Sequence, residues 1–106
     1  MKRRVVWSDE ARSDYLAIIR HIADENPDAA GRVAERIENV GAALADFATG
    51  RPGRVTGTYE RVLPDLPYIV AYEIIANPEG GETIAILHVI HAAREWPAED
   101  WPTKAS

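Results

Sequence analysis

The side chains best equipped for chemistry fall in one short run of this chain. His91, Arg94, Glu95 and Trp96 lie within six positions of one another. An imidazole titrates near neutral pH and can take or give a proton. A guanidinium clamps carboxylate or phosphate through a planar fork of donors, and an indole offers apolar area with a single N–H. A second group of cations precedes them. Arg51 and Arg54 stand in a stretch with no acid between Asp46 and Glu60, and Arg61 follows. No metal-ligand spacing, phosphate loop or nucleophile elbow is present. The chain has no cysteine, which removes thiolate nucleophiles, disulfides and Cys-based zinc sites together and suits a reducing compartment.

These residues need a frame, and the run just before His91 supplies its centre. Ile84, Ala85, Ile86, Leu87, Val89 and Ile90 are apolar on both parities of the two-residue strand period, so this strand belongs inside a sheet with neither face left to water. Before it, Tyr59–Leu63 and Tyr68–Ile75 read as strands separated by Pro64-Asp65-Leu66-Pro67, and Asn77-Pro78-Glu79-Gly80-Gly81 turns the chain into the last one. The three make an antiparallel meander.

The amino-terminal half is helical. Arg3–Trp7 is a short β-prone run that ends at Ser8, an N-cap residue followed by the first-turn acids Asp9 and Glu10. Ala11, Tyr15, Ile18, Ile19, Ile22 and Ala23 then form an apolar stripe, which predicts a helix from about Asp9 to Glu25. Asn26-Pro27 ends it and caps a second helix, whose seam is Val33, Ile37, Val40, Leu44 and Phe47 and whose stop is Thr49-Gly50. The residues from Gly50 to Gly57 form a turn-rich basic loop. The expected fold is α+β: an N-terminal edge strand, then an antiparallel helical hairpin packed on one face of a mainly antiparallel sheet that the meander completes.

Composition bounds the rest. With 106 residues and 46% apolar content, one globular domain spanning residues 1–106 is expected. No apolar run reaches the roughly 20 residues of a membrane span, and Val5, Val6 and Trp7 are too few for a signal-peptide core, so a cytoplasmic protein is expected. Seventeen acids against 12 basic residues give a net charge of −5, which offers nucleic acid no overall attraction, so no direct DNA binding is expected.

Each of these residues also has a structural reading. His91 can be a histidine hydrogen-bonded to a turn, His88 a core residue inside its strand, and His21 a surface position. Arg61 can pair across the sheet with Glu73 or sit beside Glu60, or it can bind a partner. Arg94 can bridge to Glu95 or Asp100. Trp96 and Trp101, flanked by Pro97 and Pro102, suit a tail packed back on the domain or an aromatic contact for a partner.

Three stretches, VVWSDEARSDYLAIIRHIA, YERVLPDLPYIVAYEI and ILHVIHAAREWP, taken in this order and at this spacing, resemble the ParE/RelE superfamily of bacterial toxins. The likeness covers nearly the whole chain and lies closer to ParE. It implies the fold derived above and a role as the toxin of a type II toxin–antitoxin module, with growth inhibition and plasmid stabilisation as its biology. It further implies a hetero-oligomer with a ParD-like antitoxin whose C-terminal segment wraps over the toxin, no cofactor, no metal and no membrane.

The resemblance leaves two modes of action. ParE-like members act on DNA gyrase, whereas RelE-like members cut mRNA in the ribosome. Cutting at a 2′-hydroxyl needs a base, an acid and cations for the phosphate, roles that Arg61, His91 and Arg94 would fill. RelE-like nucleases carry a basic tail, however, and here Glu95, Glu99 and Asp100 follow Arg94. The expectation is therefore a non-enzymatic toxin whose target contacts are Arg61, His91, Arg94 and Trp96, and whose antitoxin contacts are Tyr15, Ile19, Arg51, Arg54, Arg61 and Arg94. A ribosome-dependent endoribonuclease, or a decayed module that retains only antitoxin binding, are the alternatives.

Overall fold

The computed structural model describes residues 3–92. Its elements are β1 (Arg4–Trp7), α1 (Asp9–Ala23), α2 (Pro27–Ala43), β2 (Arg51–Pro52), β3 (Tyr59–Val62), β4 (Tyr68–Ala76) and β5 (Glu82–His91). One sheet runs in the order β1-β5-β4-β3-β2, with β1 parallel to β5 and every other pair antiparallel. The apolar strand thus has a neighbour on each side, and β1 is an edge strand.

Ser8 makes the junction between sheet and hairpin. Its hydroxyl oxygen accepts from the Ala11 N–H at 3.0 Å as the α1 N-cap, and the same hydroxyl donates to the Leu87 carbonyl at 3.0 Å. Its own N–H donates to Ile86 O. Leu87 is where the β4–β5 register slips, since Ala71 faces His88 while Tyr72 faces Ile86. One hydroxyl therefore starts a helix and holds the bulge of the central strand.

Both helices turn their apolar stripes to the sheet. Ala11, Ile37, Leu44, Val70, Tyr72, Ile84 and Ile86 are fully buried between the layers, with Tyr15, Ile18, Ile19 and Ile22 packed around them. On the far face Ile69, Ala71 and Ile90 form a smaller cluster, which Val55 partly covers.

β1, β3 and β4 each differ from the sequence reading by one residue at one end, and three differences are larger. α1 stops at Ala23 with Asp24 as its cap, two residues before the predicted end. α2 ends at Ala43, so Phe47 does not continue the core seam but stands 72% exposed. The helix tightens in its last turn, where Leu44, Ala45 and Asp46 donate to carbonyls three residues back. The Ala45 carbonyl instead accepts from the Arg3 N–H at 2.9 Å, which ties this end of the helix to the start of β1 and swings Phe47 outward. The third correction is β2: Arg51 and Pro52 pair with Glu60 and Tyr59 inside the stretch expected to be loop.

The Tyr72 hydroxyl, buried in the core, donates to Thr49 O at 2.8 Å and pins the α2–β2 connection. Tyr72→Phe should cost about 1 kcal/mol and lower the melting temperature by about 4–8 °C, because Thr49 loses its donor. An unchanged melting curve would show that the connection is held by other contacts.

Candidate functional site

The functional candidates separate into two regions at opposite edges of the sheet. The first lies beside β1. The Trp7 and Tyr15 rings meet edge-to-face, 5.8 Å between centroids and 68° between planes, because the last residue of β1 and the second turn of α1 face the same gap. The Tyr15 hydroxyl donates to the Glu38 carboxylate of α2. Burial, then the hydrogen bond to Glu38 and its charge, push this hydroxyl up to about 12, so it remains a donor at neutral pH. Val5, Trp7, Arg12, Tyr15, Glu38 and Ala42 line a cleft of about 370 Å³ here.

The backbone of β1 adds to this cleft. Ser8 N–H bonds toward β5, whereas Arg3 N–H points the other way, to Ala45. Strand alternation therefore turns the N–H and C=O groups of Val5 and Trp7 to the open side, where no described strand pairs with them. Of the helix residues predicted to hold an antitoxin, Tyr15 lines the cleft, whereas Ile19 is half-buried against the core. Arg12, Glu38 and Ala42 are not evident from the sequence, since periodicity assigns the first two to the solvated face and only the helix crossing brings them beside Trp7.

The second region is the β2/β3 end. Glu60, 4% exposed, receives the Arg54 backbone N–H at 3.0 Å and Arg54 Nε at 2.8 Å on Oε2. Arg51 Nη2 and Arg54 Nη2 reach Oε1 at 3.4 and 3.5 Å. Burial pushes this carboxyl up, but the side-chain bond, backbone bond and charge of Arg54, followed by the Arg51 bond, outweigh it and hold the acid below its ordinary range. The two loop arginines expected to meet a partner's acids are thus engaged with an acid of their own chain. The turn fits this closely: a Cβ on Gly50, at φ +150°, would come within 2.7 Å of Glu60 O, and one on Gly53 within 2.2 Å of Thr58 Oγ1.

Arg61 lies opposite Val70, and Glu73 lies opposite Ala85, which overturns the cross-sheet pairing of Arg61 with Glu73. Nor does Arg61 pair with Glu60, whose partners are Arg51 and Arg54. It makes no ion pair with any described residue. His91 is exposed, faces Tyr68 in register and meets its ring edge-on at 5.5 Å. Strand spacing sets the Arg61 and His91 backbones roughly 12 Å apart on one face of the sheet, a span that a guanidinium and an imidazole can bridge from its two ends. Arg94, Glu95, Trp96 and Trp101 lie outside the described residues.

His88 is the buried core residue expected, and its partner is one that the sequence does not disclose. Asp14 of α1 accepts from the Val89 N–H at 3.0 Å and lies 2.8 Å from His88 Nδ1, closing the edge of β5 beyond the point where β1 ends. Among the described residues no group of three or more His, Asp or Glu side chains is placed to hold a metal.

Residues 5–96 match the family pattern of the ParE toxin of the type II toxin–antitoxin system parDE. The chain belongs to the ParE toxin family. The putative toxin Y4kP of Sinorhizobium fredii is 41% identical over 97 residues, covering 91% of this chain and 95% of Y4kP. Toxin RelE2 of Caulobacter vibrioides is 30% identical over 91 residues, 86% of this chain and 97% of RelE2. In structure, a chain of the chromosomal ParDE toxin–antitoxin system from P. aeruginosa superposes with a TM-score of 0.74 at 23% identity, covering 85% of this ParE-family chain and 96% of that one, and so shares the fold. Among the described residues no helix is long and apolar enough to cross a membrane.

Proposed function

We propose that this ParE-family chain is a growth-arresting toxin held inactive by a ParD-like antitoxin, and that it acts by binding DNA gyrase in the cytoplasm rather than by cutting RNA. The observation that carries the first half is the open β1 edge directly beside the Trp7–Tyr15 cleft. An extended antitoxin segment can add a strand to Val5 and Trp7 while an apolar side chain enters the cleft, with Arg12 and Glu38 at hand for its charges. The P. aeruginosa chain of the same fold belongs to a toxin–antitoxin system, which supports a partner of this kind for the present chain.

The second half rests on what a ribonuclease site requires. Holding a phosphate and its developing charge needs cations, and the chain is acidic overall. A polyanion in the ribosome would meet a protein with a net charge of −5. The RelE2 relative keeps the alternative, a ribosome-dependent endoribonuclease, as the second reading.

Two measurements test these halves. Expressed with the product of the adjacent open reading frame, the chain should co-purify as a stable hetero-oligomer; a free monomer beside a folded partner would remove the antitoxin reading. Expressed alone, it should cause filamentation and a DNA-damage response with translated messages intact. Codon-phased cuts in primer extension soon after induction would replace gyrase by the ribonuclease reading and make His91 the first residue to change.

A further inference from the structure

Only a short part of this sheet can accept another strand, and its limits fix how a partner must lie. At one edge β2 is two residues long. Gly53 N–H turns toward β3, to Thr58 O, so the position that faces outward is Pro52, which has no N–H to give. At the other edge β5 runs on past the end of β1, but the Asp14 carboxylate takes the Val89 N–H there at 3.0 Å. An added strand cannot continue along β5 without displacing that carboxylate. The stretch left open among the described residues is Val5–Trp7, where the N–H and C=O groups of Val5 and Trp7 face away from β5.

Both ends of this stretch are tied. Arg3 N–H is held by Ala45 O at the end of α2, and Ser8 starts α1 while bonding to Ile86 O and Leu87 O. An antiparallel strand would meet Val5 and Trp7 as pairs that exchange both bonds, so three residues, level with Val5, Val6 and Trp7, complete all four groups. A parallel strand bonds each of them through the residues flanking its opposite number. It needs five residues for the same four bonds, reaching level with Arg4 and Ser8, where the two ties begin.

The side chains of such a strand alternate as those of β1 do. Val5 and Trp7 pack on the hairpin side, opposite Ile84 and Ile86, whereas Val6 is 41% exposed on the other face. The first and third residues of the partner strand therefore enter the cleft, and the middle one lies beside Val6. α2 passes from Gly41, which backs onto the Trp7 ring, to Ala45, which is bonded to Arg3, so Ala42 falls beside Val5. Arg12 and Glu38, the charged residues lining the cleft, offset each other, and Glu38 also holds the Tyr15 hydroxyl. What the cleft offers a side chain is the area of rings and methyl groups.

We infer that the antitoxin joins β1 as an antiparallel strand of three residues whose first and third side chains are apolar, the first against Trp7 and Tyr15 and the third against Val5 and Ala42. This rests on the proposed reading as a toxin held by an antitoxin, and it adds the direction, register and alternation of the bound segment.

The chain has no cysteine, so single cysteines can report the register. Arg4→Cys and Val6→Cys each place a thiol at an exposed position on the face away from the hairpin. Residues opposite these two in an antiparallel strand are non-hydrogen-bonded pairs, with Cα atoms about 4.5 Å apart, within disulfide range. The product of the adjacent open reading frame, given one cysteine at a time along its C-terminal segment, serves as the antitoxin. Under mild oxidation Arg4→Cys should cross-link to a position two residues after the one that Val6→Cys selects. A position two residues before it means a parallel strand, and no preference among positions means no strand; either overturns the inference. Val5→Pro removes an outward donor without touching the β1–β5 ladder, whereas Val5→Ala keeps the donor and loses more side chain. Antitoxin affinity, read by calorimetry, should fall about tenfold further for Val5→Pro than for Val5→Ala. Equal affinities overturn the backbone pairing, and a Val5→Pro chain that melts below the parent leaves the cross-links to decide. A dimer of the chain alone that Val5→Pro breaks would give β1 to a second copy and overturns the inference as well. If the parent forms no complex with that product, the antitoxin reading itself fails, an outcome distinct from a complex whose cross-links run the wrong way.

Discussion

Ala42→Trp should free this toxin from its antitoxin, so that co-expression of the adjacent open reading frame no longer rescues growth. Ala42 is an exposed position on α2 that lines the cleft beside Trp7, and an indole placed there fills space an antitoxin side chain would enter. The helix tolerates the change, since tryptophan costs only a few tenths of a kcal/mol relative to alanine at a solvent-facing helical position. Affinity should fall about 100-fold or more, equivalent to about 2.8 kcal/mol. Gly41, the residue before, is not a substitute for this test. A Cβ there would lie 3.1 Å from Trp7 Cζ2 and 3.2 Å from Ile86 Cδ1, so a large residue would push the helix off β1 and confuse unfolding with blocked binding. Calorimetric titration of the purified variant with antitoxin decides the matter, supported by a melting curve that matches the parent. Unimpaired binding would place the antitoxin elsewhere, with the β2/β3 end as the next surface to examine.

The fold is readable because every element but β2 announces itself locally. Ser8 followed by two acids starts α1, Asn26-Pro27 starts α2, and the stripes through Ile37 and through Ile84 and Ile86 are core in the structure as in the pattern. Phe47 misleads because three- and four-residue spacing continues past the last helical residue. The helix stops where the Ala45 carbonyl is captured by the Arg3 N–H, a contact between residues far apart in sequence that no local pattern carries. The two-residue β2 is below the length at which alternation can be seen, and only its register with Glu60 and Tyr59 defines it.

The candidate regions are less legible than the fold, and for the same reason. Tyr15 stands out in the sequence as an aromatic residue on α1, but the Trp7, Glu38 and Ala42 that complete its cleft come from β1 and α2. Asp14 reads as a solvated helix acid, yet it closes the edge of β5 through Val89. The basic loop is marked by what it lacks, acids between Asp46 and Glu60, whereas its organising residue is the acid at its end. A glutamate on a strand, with arginines six and nine residues before it, is the one signal that could disclose the latch, and it becomes visible only when the turn brings the three together.

Glu60→Ala should be among the most destabilising single changes outside the apolar core, costing about 3 kcal/mol. Breaking a buried ion pair by removing one partner costs about 3–5 kcal/mol, and the lower end applies because Arg51, 61% exposed, can turn to water while Arg54, 21% exposed, and its N–H are left without the carboxylate. Glu60→Gln keeps the shape and can still accept from the Arg54 N–H, so it should cost less. The acid also makes the stability depend on pH, with a sign that follows from its depressed folded pKa. Its contribution is complete above the unfolded carboxyl value of about 4.3 and is lost as the pH falls through the folded value. The gap in urea stability between the parent and Glu60→Gln should therefore narrow from about pH 7 to about pH 3, a comparison in which the other carboxylates cancel. If instead the parent gained stability relative to Glu60→Gln as the pH fell, Glu60 would already be protonated in the folded protein. The latch would then rest on neutral hydrogen bonds, and Arg51 and Arg54 would be cations available to a partner after all.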